Sequence, residues 1–155
     1  MEIARTVADL RKQIARWRKD DERIGLVPTM GALHQGHMAL VRAARTECDR
    51  VVASIFVNPK QFAPTEDLRS YPRREAADLG MLQSAGVDLV FIPALDEMYP
   101  PDFATLVQVS GLTESLCGAH RAGHFDGVTT VVTKLLIQAL PDIAYFGEKD
   151  YQQQW

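Results

Sequence analysis

The sequence predicts an α/β protein built on a doubly wound parallel sheet with helices on both faces, and three observations carry that prediction. Short apolar runs that read as strands alternate along the chain with amphipathic stretches of helical period. The run Val51-Val52-Ala53-Ser54-Ile55-Phe56-Val57 is almost continuously apolar, as a strand buried on both faces of a parallel sheet should be. Proline or glycine punctuates the elements, at Pro28, Pro59, Gly86, Pro93 and Pro141. At 155 residues, with 46% apolar and 24% charged side chains, the chain reads as one globular domain without repeats or internal linkers.

Thr6 followed by Asp9 reads as a helix N-cap, with an acid where a capping box carries Glu or Gln. Val7, Leu10, Ile14 and Trp17 then recur at helical spacing and give the first amphipathic helix. Arg23 to Pro28 is a short apolar strand. A second helix starts at Gly36 or His37 and sets Met38, Leu40, Val41 and Ala44 on or near one face. Val51 to Val57 is the buried strand; Asn58-Pro59 ends it, and the segment to Pro72 reads as a long polar loop. Arg73 to Ala85 is a third helix closed by Gly86, and Val87 to Ile92 is a further buried strand stopped by Pro93. Pro100-Pro101 marks a turn, after which Thr105 to Val109 reads as one more strand. Asp126 to Ala139 is a long helix, although Val128, Thr129, Thr130, Val131, Val132 and Thr133 are poor helix formers taken singly. Ile143 to Phe146 is the last strand.

In such a sheet the ligand lies beyond the carboxyl ends of the strands. The loops Pro28–His37, Asn58–Pro72 and Gly147–Gln153 fall there, and they are the segments richest in unusual polar chemistry. The net charge of −3 disfavours a nucleic-acid-binding surface. Cys48 and Cys117 lack CxxC spacing and read as reduced thiols. Met1-Glu2-Ile3-Ala4-Arg5 lacks the apolar core of a secretory signal, and no apolar run approaches the roughly 18 residues of a membrane span. A cytoplasmic protein with neither nucleic acid nor membrane as partner is the expectation.

The segment Ile24 to Leu40 carries the chemistry. An apolar run breaks at Pro28-Thr29, then passes Gly31, His34, Gly36 and His37 before the second helix. Both imidazoles and several unpaired backbone N–H groups would meet at a positive helix end, a place to hold a phosphate chain. Neither a P-loop nor a GxGxxG fingerprint is present, so a bound nucleotide would be held by histidines. Two other readings stay open: a pair of solvated surface histidines, or a zinc site of Cys117, His120 and His124 completed by His34 or His37.

Pro28-Thr29-Met30-Gly31-Ala32-Leu33-His34-x-Gly36-His37 resembles the HxGH signature of the nucleotidyltransferase superfamily related to class I aminoacyl-tRNA synthetases. Four further blocks follow in order: Ser54-Ile55-Phe56-Val57-Asn58-Pro59-x-Gln61-Phe62, Tyr71-Pro72-Arg73, Gly123-His124-Phe125-x-Gly127-Val128 and Phe146-Gly147-Glu148-Lys149-Asp150-Tyr151-Gln152-Gln153. With them the chain resembles the pantothenate synthetase (pantoate–β-alanine ligase) family. Asp126 and Ala122 depart from the family pattern in the fourth block.

The resemblance implies a Rossmann-like, three-layer α/β/α fold of the HxGH nucleotidyltransferase (HUP) type. It implies ATP-dependent condensation of pantoate with β-alanine through a pantoyl adenylate, assisted by Mg2+, in a homodimer. Met30, Gly31, Ala32, Leu33, His34, Gln35, Gly36 and His37 would line the ATP site, His34 and His37 on the phosphates and His37 in the acid role. Gly147, Glu148, Lys149 and Asp150 would form a second ATP segment, with Lys149 catalytic on phosphate oxygens and Asp150 on the ribose. Pro28, Thr29, Met30, Gln61 and Gln153 would bind pantoate, with Gln61 also near β-alanine; metal ligands are left open. Family members continue into a smaller C-terminal lid domain that nothing here matches. The expectation is therefore an N-terminal ATP- and pantoate-binding domain, residues 1–155, of little ligase activity by itself. A non-catalytic nucleotide-binding or sensor module with the same pocket is the alternative.

Overall fold

The computed structural model of the chain describes residues 1–62, 68–109 and 124–148. In chain order these form β1 (Glu2–Ala4), α1 (Val7–Lys19), β2 (Ile24–Thr29), α2 (Gln35–Glu47) and β3 (Arg50–Ile55), then two 3-10 turns (Pro59–Gln61 and Leu68–Ser70). There follow α3 (Glu75–Ser84), β4 (Leu89–Phe91), α4 (Leu95–Met98), α5 (His124–Ala139) and β5 (Ile143–Ala144). All strands pair in parallel, in the order β1-β4-β3-β2-β5. The chain runs outward from β2 through β3 to β4, then returns to lay β5 on the other side of β2. Strand order thus reverses at the carboxyl end of β2, where doubly wound sheets open a crevice.

The sheet separates two apolar layers. Ile24, Leu26 and Val52 pack with Leu10, Ile14 and Trp17 of α1 and Val131 and Leu135 of α5. On the other face Val27, Val51, Ala53 and Val90 pack with Met38, Val41 and Ala44 of α2 and Leu82 of α3. Alternate residues of β3 serve opposite layers, which is why its sequence is apolar without a break. Thr6 caps α1 as expected: its Oγ1 accepts the Asp9 N–H at 3.1 Å, and its hydroxyl donates to the Asp9 carboxylate at 2.7 Å. Gly86, at φ 81°, ends α3 while the Val87 N–H reaches back to the Leu82 carbonyl. Among the described residues no helix is long and apolar enough to cross a membrane.

Thr105 to Val109 is not a strand. The open side of β4 is taken by β1, a three-residue edge strand that no periodicity announced because Ile3 is 46% exposed. Val107 instead donates its N–H to Thr130 Oγ1 at 3.0 Å, and its carbonyl accepts from the Thr129 hydroxyl at 2.5 Å. Two poor helix formers of α5 thereby fasten the preceding segment. The last strand is shorter than expected, ending at Ala144, and this releases Phe146 and Gly147 towards the crevice.

Candidate active site

The site grows from the end of β2. Thr29 donates its hydroxyl to the Ser54 carbonyl at 2.7 Å and accepts the Gly31 N–H at 3.1 Å. The chain then turns through two left-handed residues, Gly31 at φ 82° and Ala32 at φ 51°. Asp78 of α3 holds this turn. Its carboxylate, 3% exposed, accepts the Ala32 N–H on one oxygen and the Leu33 N–H on the other, each at 2.9 Å. A Cβ at Gly31 would stand 3.0 Å from Asp78 Oδ2 and 3.2 Å from Ile55 Cγ2, so the turn needs glycine on two counts.

The turn delivers the chain to α2, capped by histidines in both roles of a capping box. His34 Nδ1 accepts the Gly36 N–H at 3.0 Å, and His37 Nδ1 faces the His34 N–H at 3.3 Å. The two rings lie with centroids 4.1 Å apart. A backbone N–H only donates, so the Nδ1 lone pairs are engaged and the proton of each neutral ring sits on Nε2. Both imidazoles thus present an N–H donor without having to be protonated. A Cβ at Gly36 would stand 2.8 Å from His34 Cε1, so glycine leaves the capping ring its place. The first turn of α2 contains no acid, leaving its positive end uncancelled.

These groups form one wall of a cavity of about 440 Å³ lined by Pro28, Thr29, Met30, Gly31, Ala32, His34, Gly36 and His37. Phe56 and the α5 residues Val128, Val131, Val132 and Leu135 make an apolar floor. Gln61 and Tyr71 stand at the side, and Phe146, Gly147 and Glu148 close the far edge. Burial, and then the nearby charge of Asp78, push the Tyr71 phenol above its usual range, so it faces the cavity as a neutral O–H. A smaller cavity of about 280 Å³ adjoins the first, sharing Met30, Gly31 and Phe56.

Most of the site residues read from sequence therefore meet around one space. Leu33 and Gln35 do not line it: Leu33 packs on the α2–α3 core and Gln35 is exposed. Lys149, Asp150 and Gln153 lie outside the described residues, as do Cys117 and His120. Among the described residues no group of three or more His, Cys, Asp and Glu is arranged to hold a metal ion. His124, the remaining member of the zinc reading, places Nδ1 2.7 Å from the Gln61 carbonyl.

Sequence reasoning missed Asp78 and Asn58. Asp78 shares the buried face of α3 with Leu82, four residues on, and an acid on an apolar stripe was the available signal. In the sequence Asn58 marks the end of a strand and falls in a family block without a role of its own; it is 1% exposed, its side chain bonded to Gln61 and to the backbone of α5.

Comparison with known proteins identifies the family and agrees with the fold. The family model described as pantoate-β-alanine ligase matches residues 2–155. The pantothenate synthetase of Dinoroseobacter shibae is 60% identical over 98% of this chain and 54% of its own length. That of Paramagnetospirillum magneticum is 59% identical over 97% of this chain and 53% of its own. The chain thus spans about half the length of the curated relatives it matches. The crystal structure of the Thermus thermophilus pantothenate synthetase superposes with a TM-score of 0.93 at 56% identity, covering 99% of this chain and 54% of that one. The Francisella tularensis pantoate-β-alanine ligase, complexed with β-γ ATP and β-alanine, superposes with a TM-score of 0.90 at 41% identity, covering 99% and 59%. From its sequence and its doubly wound sheet alike, this chain belongs to the pantoate-β-alanine ligase family.

Proposed function

We propose that this chain is the ATP- and pantoate-binding domain of an AMP-forming pantoate–β-alanine ligase. The observation that carries the proposal is the single cavity that joins the histidine-capped start of α2 to Gln61 and to the Gly147–Glu148 edge. Its volume suits a small-molecule site. The apolar floor matches the dimethyl carbon of pantoate, and the polar rim matches its carboxylate and hydroxyls.

In the first step a pantoate carboxylate oxygen attacks the α-phosphorus of ATP. A carboxylate–phosphorus bond forms as the bond to the β-phosphate oxygen breaks, and pyrophosphate leaves. Charge develops on that departing oxygen. The Nε2–H groups of His34 and His37 and the first turn of α2 are donors suited to meet it. In the second step the unprotonated amine of β-alanine attacks the acyl carbon, AMP departs, and the amine loses a proton. By family resemblance Lys149 serves the phosphates, Asp150 the ribose and Gln153 the pantoate.

Among the described residues that line the cavity, one carboxylate suits Mg2+. Asp78 already accepts two N–H groups, while Glu148 is a carboxylate at the cavity edge. An ion arriving with the nucleotide keeps phosphate and water ligands and takes one or two carboxylates, so Glu148 would hold it. When bound, it would neutralise phosphate charge.

A pantoyl-adenylate mimic tests the proposal against a simple nucleotide sensor. The expected result is tighter binding of the mimic than of AMP or ATP, because both halves of the cavity are filled. Equal affinity for the mimic and for AMP would contradict it. Pantoate-dependent AMP release by the isolated chain is expected to be slow, since closure over the substrates supplies much of the positioning in such enzymes; turnover matching a full-length relative would overturn that expectation.

A further inference from the structure

The smaller cavity, of about 280 Å³, takes no part in the proposed chemistry. It opens at the carboxyl ends of β3 and β4 and shares only Met30, Gly31 and Phe56 with the larger one. Ile55 and Val57 from one strand end, and Ile92 and Leu95 from the other, give it an apolar wall. Arg73, Arg74, Glu75 and Asp78, at and just before the start of α3, supply its charged side. Both carboxylates there are already engaged. Glu75 pairs with Arg5 through two bonds, and Asp78 accepts the Ala32 and Leu33 N–H groups. The arginines are not: among the described residues no ion pair engages Arg73 or Arg74.

Two unneutralised guanidiniums beside an apolar wall suit an organic anion with an apolar body. The planar donor forks bind a carboxylate, and the wall takes a branched alkyl group. The volume lies at the low end of small-molecule pockets and limits the occupant to a compact molecule. The same wall supports the turn after β2. Gly31 packs so closely on Asp78 and Ile55 that a Cβ would stand within 3.0 and 3.2 Å of them, and all three residues line this cavity. An occupant therefore presses on the groups that hold the turn.

We propose that the smaller cavity is an effector site for a small branched-chain carboxylate, whose binding steadies the turn that aims His34 and His37. A ligand that prefers the held turn shifts the protein towards it, and the nucleotide then meets a site already arranged. By linkage the nucleotide strengthens the effector to the same degree. The coupling rests on the reading of the histidine-capped end of α2 as the nucleotide site, whereas the effector site itself is a property of the free protein.

The experiment titrates isotope-labelled chain with isovalerate, following the backbone amide signals of Gly31, Ile92 and Ala94. Saturable shifts are expected there. Acetate, which lacks the apolar body, and isovaleramide, which lacks the charge, are each expected to bind about tenfold more weakly or worse. Arg73 and Arg74 are exposed, so a variant carrying Arg73→Leu and Arg74→Leu keeps the fold and is expected to lose about tenfold or more in isovalerate affinity. By calorimetry, saturating isovalerate is expected to tighten a non-hydrolysable ATP analogue about fivefold in the unaltered chain and not in the variant. The absence of saturable shifts, equal binding of acetate, or an unchanged affinity in the variant would each overturn the proposal. So would displacement of isovalerate by pantoate with shifts at Val131 and Val132, which would place it in the larger cavity, or an ATP-analogue affinity indifferent to isovalerate. If the chain binds no ATP analogue, the nucleotide reading fails by itself. The effector site is then decided by the isovalerate titration and its dependence on the two arginines.

Discussion

The left-handed turn that aims the histidines is held by one buried carboxylate. Ala32 at φ 51° is in a conformation that costs a residue with a Cβ roughly 1–2 kcal/mol, and Asp78 offsets this by accepting two consecutive N–H groups. Asp78→Ala leaves both donors unpaired, with a predicted loss of about 2–4 kcal/mol in chemical denaturation and weaker binding of ATP analogues. An unchanged denaturation midpoint would show that Asp78 does not hold the turn. His34 has two duties, as cap and as phosphate donor. His34→Ala is predicted to cost about 1 kcal/mol of stability through the lost cap, and to weaken nucleotide binding beyond that. The imidazole pair was legible in the sequence because its spacing set both rings at a helix start beside two glycines. Asp78 was not, since an acid between Ala77 and Leu79 resembles a solvated residue until the stripe through Leu82 is drawn.

At the scale of elements, the site depends on how closely α5 approaches the turn after β3. A Cβ at Gly127 would stand 2.2 Å from the Lys60 carbonyl oxygen, so helix and turn touch backbone to backbone. Gly127→Ala is predicted to force them apart at a cost of about 1–3 kcal/mol, and to displace Gln61 with the turn. Thermal unfolding and pantoate titration of this variant measure both effects; unaltered values for both would show that the contact is not needed. The long elements were legible because each buries a stripe or a run that its sequence displays. The misread ones obtain their bonding elsewhere. β1 is recognisable only through its partner β4, and residues 105–109 satisfy their backbone on threonine hydroxyls of α5, a contact no local pattern encodes.

Across the whole molecule, strand order decides where the chemistry sits: reversal at β2 brings the loops after β2 and β5, far apart in sequence, to one crevice. The edge that carries β5 is held by Asp142. It accepts the Ile24 N–H at 2.6 Å and an Arg18 N–H at 2.7 Å. Burial works to raise this carboxyl, but the Ile24 N–H and Arg18 outweigh it and hold the group below its ordinary value of 3.8. A carboxyl lowered in the folded state adds stability that is complete above the unfolded value and lost as pH falls through the folded one. Asp142→Asn is therefore predicted to be less stable than the parent near neutrality, with the difference shrinking below about pH 4 in acid titrations of the unfolding midpoint. A gap that stays constant down to lower pH would contradict that linkage. The most direct measurement of the whole scheme is paired calorimetry of His37→Ala and Gln61→Ala against a non-hydrolysable ATP analogue, pantoate and a pantoyl-adenylate mimic. The predicted result is that His37→Ala weakens the ATP analogue and spares pantoate, Gln61→Ala does the reverse, and both weaken the mimic. Affinities untouched by either substitution would mean that this cavity is not where the two substrates meet.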